Sequence, residues 1–395
     1  MFTRRRLAAA ALLLFVPAVA PAQVTASGEI TATFGGRDDT AFFNYTDYEH
    51  NALRMFRISL TGMWQPASRV AFLGELRSED VQRVIPYALY VRVRPFAGRA
   101  FFIQAGRIPP VFGAFGRRTY GAGANPLIGY PLAYQYLTTL RSDAIPATAD
   151  DLLAMRGRGW RTEFPVGDPT EAPGVPLMSA YRWDTGVEAH AASRWLDGSV
   201  AVTTGTLAKP LVRNDNAGWQ ASWRLAWKPI VGLAVGASAS HGEFLARTVT
   251  DLAAVPSTTS YSQRALGVDA EYSRDHWIVR GELIESRWRV PALAAPYITN
   301  PLKATAGFVE GRYRIGARYF AAARADRLTF SRITGERLFG GVPTPWDAPV
   351  SRIEVGGGVY VRRNLTARAV VQRNWREGGR VRERTFVSGQ LAFWF

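Results

Sequence analysis

The sequence predicts an all-β protein, a transmembrane antiparallel up-and-down β-barrel of about 16 strands, with a range of roughly 14 to 18. Three observations predict it: apolar and polar residues alternate along segment after segment, an export segment begins the chain, and no later stretch could form a spanning helix. The chain of 395 residues is 47% hydrophobic and 20% charged. That balance excludes both a disordered chain and a bundle of apolar membrane helices.

The alternation is clearest between residues 218 and 228. Tryptophans at 219, 223 and 227 share one face, and Arg224 and Lys228 lie on the other. Sixteen such strands would enclose an aqueous channel, whereas eight would be filled by side chains. With no domain boundary visible, residues 23–395 are predicted to form one barrel. The segments begin near residues 26, 53, 69, 85, 100, 184, 199, 218, 231, 263, 276, 305, 316, 352, 365 and 385.

The first 22 residues have the composition of a secretory signal peptide. Arg4, Arg5 and Arg6 precede an apolar run from residue 7 to residue 20, and Ala20 and Ala22 provide the small residues of a cleavage site. Cleavage after Ala22 would remove three arginines and lower the net charge from +16 to +13. An exported chain without spanning helices is a soluble periplasmic protein, a secreted protein or a membrane barrel.

A soluble β-sandwich also alternates, but two features favour the barrel. Charged residues occupy the second face of many strands, as at Arg312 and Arg314. The last residues place Val387, Leu391 and Phe395 on one face and end in an aromatic side chain. An apolar face of this kind is suited to lipid rather than to water.

That ending, together with the export segment, resembles Gram-negative outer-membrane barrels, whose last strand commonly closes on a C-terminal Phe. Residues 106–113, Gly-Arg-Ile-Pro-Pro-Val-Phe-Gly, are similar to a stretch found in porins of the phosphate-selective O/P type. The resemblance implies location in the cell outer membrane, contact with its lipid, and a possible homotrimer. It does not extend to that family's lysine-rich phosphate site, because Lys209, Lys228 and Lys303 are the chain's three lysines.

The longest segment without alternation, about residues 108–180, follows the fifth predicted strand. A loop of that length is usually functional or disordered. Sixteen-stranded porins, which the sequence resembles, fold the loop after their fifth strand into the lumen. We therefore expect 108–180 to be an in-folded constriction loop, with an extracellular lid that leaves the pore open as the alternative.

The predicted selectivity of the pore depends on arginine, because only three of the 48 basic residues are lysines. A guanidinium group stays protonated and offers a planar fork of donors to an anion. Rings of such charges in a pore wall exclude cations. The alternative is that inward arginines pair with nearby glutamates and form a structural network. The predicted pore-lining residues are Arg57, Arg92, Arg94, Arg312, Arg314 and Arg318 on the wall, and Arg117, Arg118, Arg141, Arg156 and Arg158 in the loop.

Other classes of function find little support. Ser240-His241 and Asp275-His276 are adjacent pairs, which a strand points to opposite faces. The chain has no cysteine, and we predict no catalytic residue, metal site or cofactor. Nucleic-acid binding is not expected of an exported protein. Its basic residues would also be concentrated in one element, whereas these arginines are spread over nearly every strand.

The sequence predicts a porin for small hydrophilic solutes, preferring anions. An outer-membrane barrel enzyme, lipase-like or protease-like, is the alternative.

Overall fold

The computed structural model describes residues 23–38, 41–44, 51–118, 124–179, 183–253 and 260–395, with the side chains of residues 117 and 118 excepted. The predicted signal peptide, residues 1–22, lies outside the described residues. It stays a prediction.

Sixteen strands form one closed barrel in which each strand pairs with its neighbours in the chain. The predicted fold class is confirmed. The strands are β1 Gln23–Gly35, β2 Phe56–Ala67, β3 Val70–Glu79, β4 Ile85–Val93, β5 Phe101–Ile108, β6 Asp184–Ala192, β7 Leu196–Thr203, β8 Gln220–Ile230, β9 Leu233–Glu243, β10 Ser262–Arg274, β11 Trp277–Trp288, β12 Leu302–Ile315, β13 Tyr319–Phe330, β14 Val350–Arg362, β15 Leu365–Arg376 and β16 Glu383–Trp394.

The barrel closes where β1 pairs antiparallel with β16, from Glu29 opposite Trp394 to Gly35 opposite Ser388. Closure removes the free edge that an open sheet would expose. Each strand begins within three residues of the position predicted from alternation.

The two faces of the wall differ as the alternation predicts. On β8, Trp223, Leu225 and Trp227 point outward and are exposed, while Gln220 and Ser222 point inward and are buried. Exposed large apolar side chains recur on the outward face of strand after strand around the barrel. A continuous apolar exterior of this kind is stable in lipid and unfavourable in water.

Tyr87 departs from the predicted pattern. Its neighbours in β4 suggest that it points outward with Leu89, yet it is fully buried. The reason is a register shift, because Glu75 pairs with Ala88 and the next residue, Leu76, pairs with Pro86. Tyr87 is the extra residue of this bulge and turns inward under the guanidinium group of Arg77.

The two ends of the barrel differ in the length of their connections. At one end, the short-turn end, tight turns such as residues 68–69, 231–232 and 363–364 join the strands. At the other, the long-loop end, segments such as 36–55, 244–261 and 331–349 join them. The longest connection, 109–183, contains the short helices α1 Phe115–Arg118, α2 Leu132–Gln135 and α3 Ala149–Ala154.

The remaining elements are small and belong to the long-loop end. No helix in the described part of the chain is long and apolar enough to cross a bilayer. These elements are the helix α4 Arg247–Leu252, the 3-10 helices Ala52–Arg54 and Leu338–Gly341, and two-residue strands that pair Ala144–Ile145 with Val166–Gly167 and Arg332–Ile333 with Thr344–Pro345.

The hydrophobic core lies inside the barrel, where segment 109–183 meets the inner wall. The Phe115 ring packs against Tyr134 at 4.9 Å between centroids and against Phe308 of β12 at 5.4 Å. Leu132 and Ile284 are buried in the same cluster. Burial of this apolar surface stabilises the segment against the wall.

Candidate pore constriction

Segment 109–183 turns back into the barrel and lies against the inner face of β11 to β15. Residues 124–134, here called the inner segment, hydrogen-bond to side chains that point inward from those strands. The predicted in-folding of the loop after the fifth strand is confirmed by these contacts.

Four wall arginines bind the inner segment through its carbonyl oxygens. They lie on β11, β13, β14 and β15, so the arginines follow the wall around a quarter of its circumference. The donor and acceptor pairs are Arg280 with Ala124 at 2.7 Å, Arg324 with Gly129 at 2.5 Å, Arg352 with Tyr130 at 3.0 Å, Arg368 with Leu127 at 3.3 Å, and Arg368 with Asn125.

Wall carboxylates bind the N–H groups of the same segment. Glu354 accepts hydrogen bonds from the main chain of Gly129 at 2.9 Å and of Ile128 at 3.2 Å. Asp326 accepts one from Leu132 at 3.4 Å. These buried peptide groups therefore find partners in the wall, which buried main chain requires.

The arginines and carboxylates also neutralise one another. Arg324 lies 3.0 Å from Glu310, 2.8 Å from Glu354 and 3.5 Å from Asp326, and Arg280 lies 2.6 Å from Glu310. The side chains of Arg324 and Glu354 have no exposed surface. On this part of the wall the inward arginines form the structural network that the sequence left open as an alternative.

Two predicted wall residues lie on strands beyond β11 to β15. Arg57 of β2 donates to the hydroxyl of Tyr130 at 3.1 Å and pairs with Glu29 at 3.3 Å. Arg92 of β4 donates from its Nε to Gln104 at 3.1 Å. Arg57 therefore contacts the inner segment from β2, beyond the point where the barrel closes.

The other predicted wall arginines lie toward the short-turn end. Arg94, Arg314 and Arg318 are exposed, and Arg312 is half-buried on the inward face of β12. The structure does not bring these residues to the inner segment. Their part in passage stays a prediction.

Arg141 is buried within segment 109–183. Its guanidinium group pairs with Asp143 at 2.9 Å and donates to the carbonyls of Thr162 at 3.0 Å and Thr170 at 2.6 Å. These contacts hold the two ends of residues 141–170 together.

The remaining loop arginines have separate positions. Arg156 donates to the carbonyls of Pro345 at 3.1 Å and Glu377 at 2.8 Å, which ties segment 109–183 to two other long loops. Arg158 is exposed. Arg117 and Arg118 belong to α1, and their side chains lie outside the described residues.

Sequence reasoning did not predict the apolar part of the inner wall against which segment 109–183 packs. Leu302, Ala304, Ala306 and Phe308 share the inward face of β12 with Glu310, and all four are buried. The signal was present in the sequence, because apolar residues there occupy the face that carries charge further along the strand. An apolar inward face predicts that something covers it from inside the barrel.

Buried aspartates hold the loops in place at the long-loop end, Asp347 between two loops and Asp38 within one. Asp347 accepts main-chain hydrogen bonds from Thr139 at 2.9 Å and Gly157 at 2.8 Å. Burial raises the pKa of Asp347 to about 6. Asp38 accepts a hydrogen bond from the main chain of Asn44 at 2.7 Å, and burial raises its pKa to about 6 as well.

The residues considered for catalysis do not converge. Ser240 points inward and donates to Gln220 at 2.8 Å, whereas His241 points outward and is exposed. Asp275 and His276 form the turn between β10 and β11. Within the described ranges, no group of three or more His, Cys, Asp or Glu side chains could hold a metal ion.

Comparisons with known proteins show which solved structures share this fold. No protein-family model matches the chain, and no curated protein sequence matches it. Solved structures do match over nearly their whole length. They include an anion-selective porin from Comamonas acidovorans, with 8% identity, TM-score 0.58, and coverage of 95% of this chain and 100% of that chain.

Two other solved structures give the same result. The outer-membrane channel DcaP of Acinetobacter baumannii has 9% identity and TM-score 0.53, covering 95% of this chain and 97% of its own. The trimer form of OmpT, an outer membrane protein of Vibrio cholerae, has 10% identity and TM-score 0.53, covering 95% and 99%. The chain has the fold of an outer-membrane porin. That this porin-like barrel belongs to the phosphate-selective O/P type of porin stays a prediction.

Proposed function

We propose that this porin-like barrel is an outer-membrane channel for the passive diffusion of small hydrophilic solutes, and that it prefers anions. The observation that carries the proposal is the in-folded loop, which is fixed to the inner wall of a sixteen-stranded barrel by hydrogen bonds and ion pairs. Sixteen strands enclose a lumen wider than side chains alone can fill. A loop held inside such a lumen narrows it and sets which solutes pass.

The distribution of charge supports a preference for anions. Around the inner segment, Arg280 and Arg324 are compensated by Glu310 and Glu354. The electrostatic field at the short-turn end therefore takes the positive sign of its exposed arginines, such as Arg314. Positive charge around an entrance raises the local concentration of anions and repels cations.

Cellular location and assembly follow from the same proposal. Membrane barrels carry their short turns on the periplasmic side and their longer loops outside the cell. We therefore infer export by the predicted signal peptide and insertion with segment 331–349 facing the exterior. The OmpT trimer form shares this fold, which supports a homotrimer here.

Reconstitution in a planar bilayer under a potassium chloride gradient tests the function. The native protein should conduct, and its reversal potential should have the sign of chloride preference. The variant Arg94→Glu/Arg314→Glu/Arg318→Glu should lower the ratio of chloride to potassium permeability severalfold, because it reverses exposed charge at the entrance.

A control variant carries the same kind of charge reversal, at two positions outside the lumen. Arg327 and Arg373 face outward and are exposed, so Arg327→Glu/Arg373→Glu should leave the permeability ratio close to that of the native protein. Absence of conductance would contradict the channel, and a cation-selective native protein would contradict the anion preference alone.

A further inference from the structure

A groove of about 940 Å³ runs along the outer wall across β6 to β11. Its floor contains the small side chains of Ala189, Ala221 and Ala239, and Trp223 and Leu266 flank it. All five residues lie on the outward face of their strands. The groove therefore opens toward the surrounding lipid rather than toward the lumen.

Basic side chains line the groove at its end nearest the long loops. His241 pairs in register with Arg264, and Arg264 pairs in register with Arg287 on the next strand. Arg289 follows just after β11 and also borders the groove. Since neighbouring strands lie about 4.8 Å apart, these side chains form a compact basic row across β9, β10 and β11.

The charge of this row is only partly compensated. Glu285 lies 2.6 Å from Arg287 and 3.3 Å from Lys303. Among the residues that the structure describes, neither Arg264 nor Arg289 has a carboxylate within ion-pair distance, and both are exposed. Like charges directly opposite on neighbouring strands repel each other, so Arg264 and Arg287 would be stabilised by an anion between them.

A second groove on the same wall provides a comparison. It has a volume of about 670 Å³ and is lined by Leu283, Val309 and Ile353, with Arg327 at its border. Arg327 lies 3.8 Å from Glu377. Both grooves are apolar, but the arginine at the border of the second is paired, whereas Arg264 and Arg289 of the first have no carboxylate partner among the described residues.

We propose that the first groove binds a lipid whose phosphate head group carries a net negative charge. The phosphate lies on Arg264 and Arg289, and an acyl chain lies along the floor that includes Ala221 and Ala239. A guanidinium fork matches phosphate oxygens and forms charge-assisted hydrogen bonds with them. The row lies near the strand ends, at the depth where a barrel meets the head groups. This site is independent of conduction through the lumen.

Native mass spectrometry of the protein in detergent micelles tests the proposal. The probes are dioleoyl phosphatidic acid and dioleoyl phosphatidylcholine, which share acyl chains and differ in net head-group charge. The native chain should retain phosphatidic acid preferentially. The variant Arg264→Gln/Arg289→Gln should bind phosphatidic acid about tenfold more weakly, and Ala239→Trp, which fills the floor, should reduce binding as well.

The matched control removes outward arginines whose charge is already paired. Arg327→Gln/Arg373→Gln should retain phosphatidic acid as the native chain does, because Glu377 and Glu383 pair with these residues. Equal retention of the two lipids, or unchanged binding by Arg264→Gln/Arg289→Gln, would overturn the proposal. So would loss of oligomers without loss of lipid in Ala239→Trp, which would assign the groove to a second copy of the chain.

Discussion

The buried arginines of this barrel each serve more than one partner, which a planar fork allows. Arg324 donates to Glu310, to Glu354 and to the carbonyl of Gly129. A lysine ammonium group is a compact, strongly hydrated charge that lacks this geometry. The large excess of arginine over lysine in the sequence fits this use of the side chain.

Asp347 should make the stability of the long-loop end depend on pH. Its pKa rises from 3.8 to about 6 on folding because the carboxyl group is buried. The folded state therefore binds the proton more tightly, so stability is highest below about pH 4, falls as pH rises to about 6, and is constant above that. At 1.36 kcal/mol per pKa unit the loss is about 3 kcal/mol.

Urea unfolding in detergent micelles between pH 4 and pH 7 measures this effect. The free energy of unfolding should fall less steeply across that range in Asp347→Asn than in the native protein. Asp38, whose pKa is also about 6, contributes a further part of the slope, which Asp38→Asn should reduce. Equal slopes in the native protein and in Asp347→Asn would show that this carboxyl group does not titrate on unfolding.

At the scale of the strands, alternation alone was enough to place all sixteen. The period is two, and each strand needs opposite chemistry on its lipid and lumen faces, so the pattern repeats along the chain. Trp223, Leu225 and Trp227 lie outside as predicted. The bulge at Tyr87 could not be predicted. One inserted residue reverses which face of the sheet the side chains beyond it occupy, and the amino-acid composition of the strand does not show where it lies.

The contacts between segment 109–183 and the inner wall were less predictable than the strands. Which loop arginines meet the wall depends on the path of the main chain, and Arg141 turned out to bind carbonyls of its own segment. The four wall arginines that bind the inner segment lie on the inward face of their strands. Parity gives the face of a residue but not its partner, so Arg280 and Arg324 could be placed inside without their glutamates being assigned.

At Gly129 the inner segment lies close against the wall. A Cβ atom there would lie 2.6 Å from the amide nitrogen of Gln372 and 2.7 Å from a carboxylate oxygen of Glu354. Gly129→Ala should therefore displace the inner segment, lower stability by about 1 to 3 kcal/mol, and alter single-channel conductance.

Gly62→Ala is the matched control for this substitution. A Cβ atom at Gly62 would meet nothing within 4 Å, so this variant should keep the native conductance. Both variants are compared by single-channel recording and by urea unfolding. If Gly129→Ala conducted and unfolded like the native protein, the contact between the inner segment and the wall would not define the constriction.

For the whole molecule, charge is divided between two environments. Around the inner segment, arginines and carboxylates are buried together and cancel, as in the group of Arg324, Glu310 and Glu354. At the short-turn end, arginines such as Arg314 and Arg318 are exposed to solvent. The two environments make different predictions for selectivity, because salt screens exposed charges and has little effect on buried ones.

The dependence of selectivity on salt distinguishes the two sources. The Debye length is about 10 Å at 0.1 M salt and about 3 Å at 1 M. If the exposed arginines create the preference for anions, the ratio of chloride to potassium permeability should be high at 0.1 M and approach the ratio in free solution at 1 M. Reversal potentials at a fixed concentration ratio, measured at both mean concentrations, provide the test. A preference that persisted unchanged at 1 M would instead assign selectivity to the buried side chains around the inner segment.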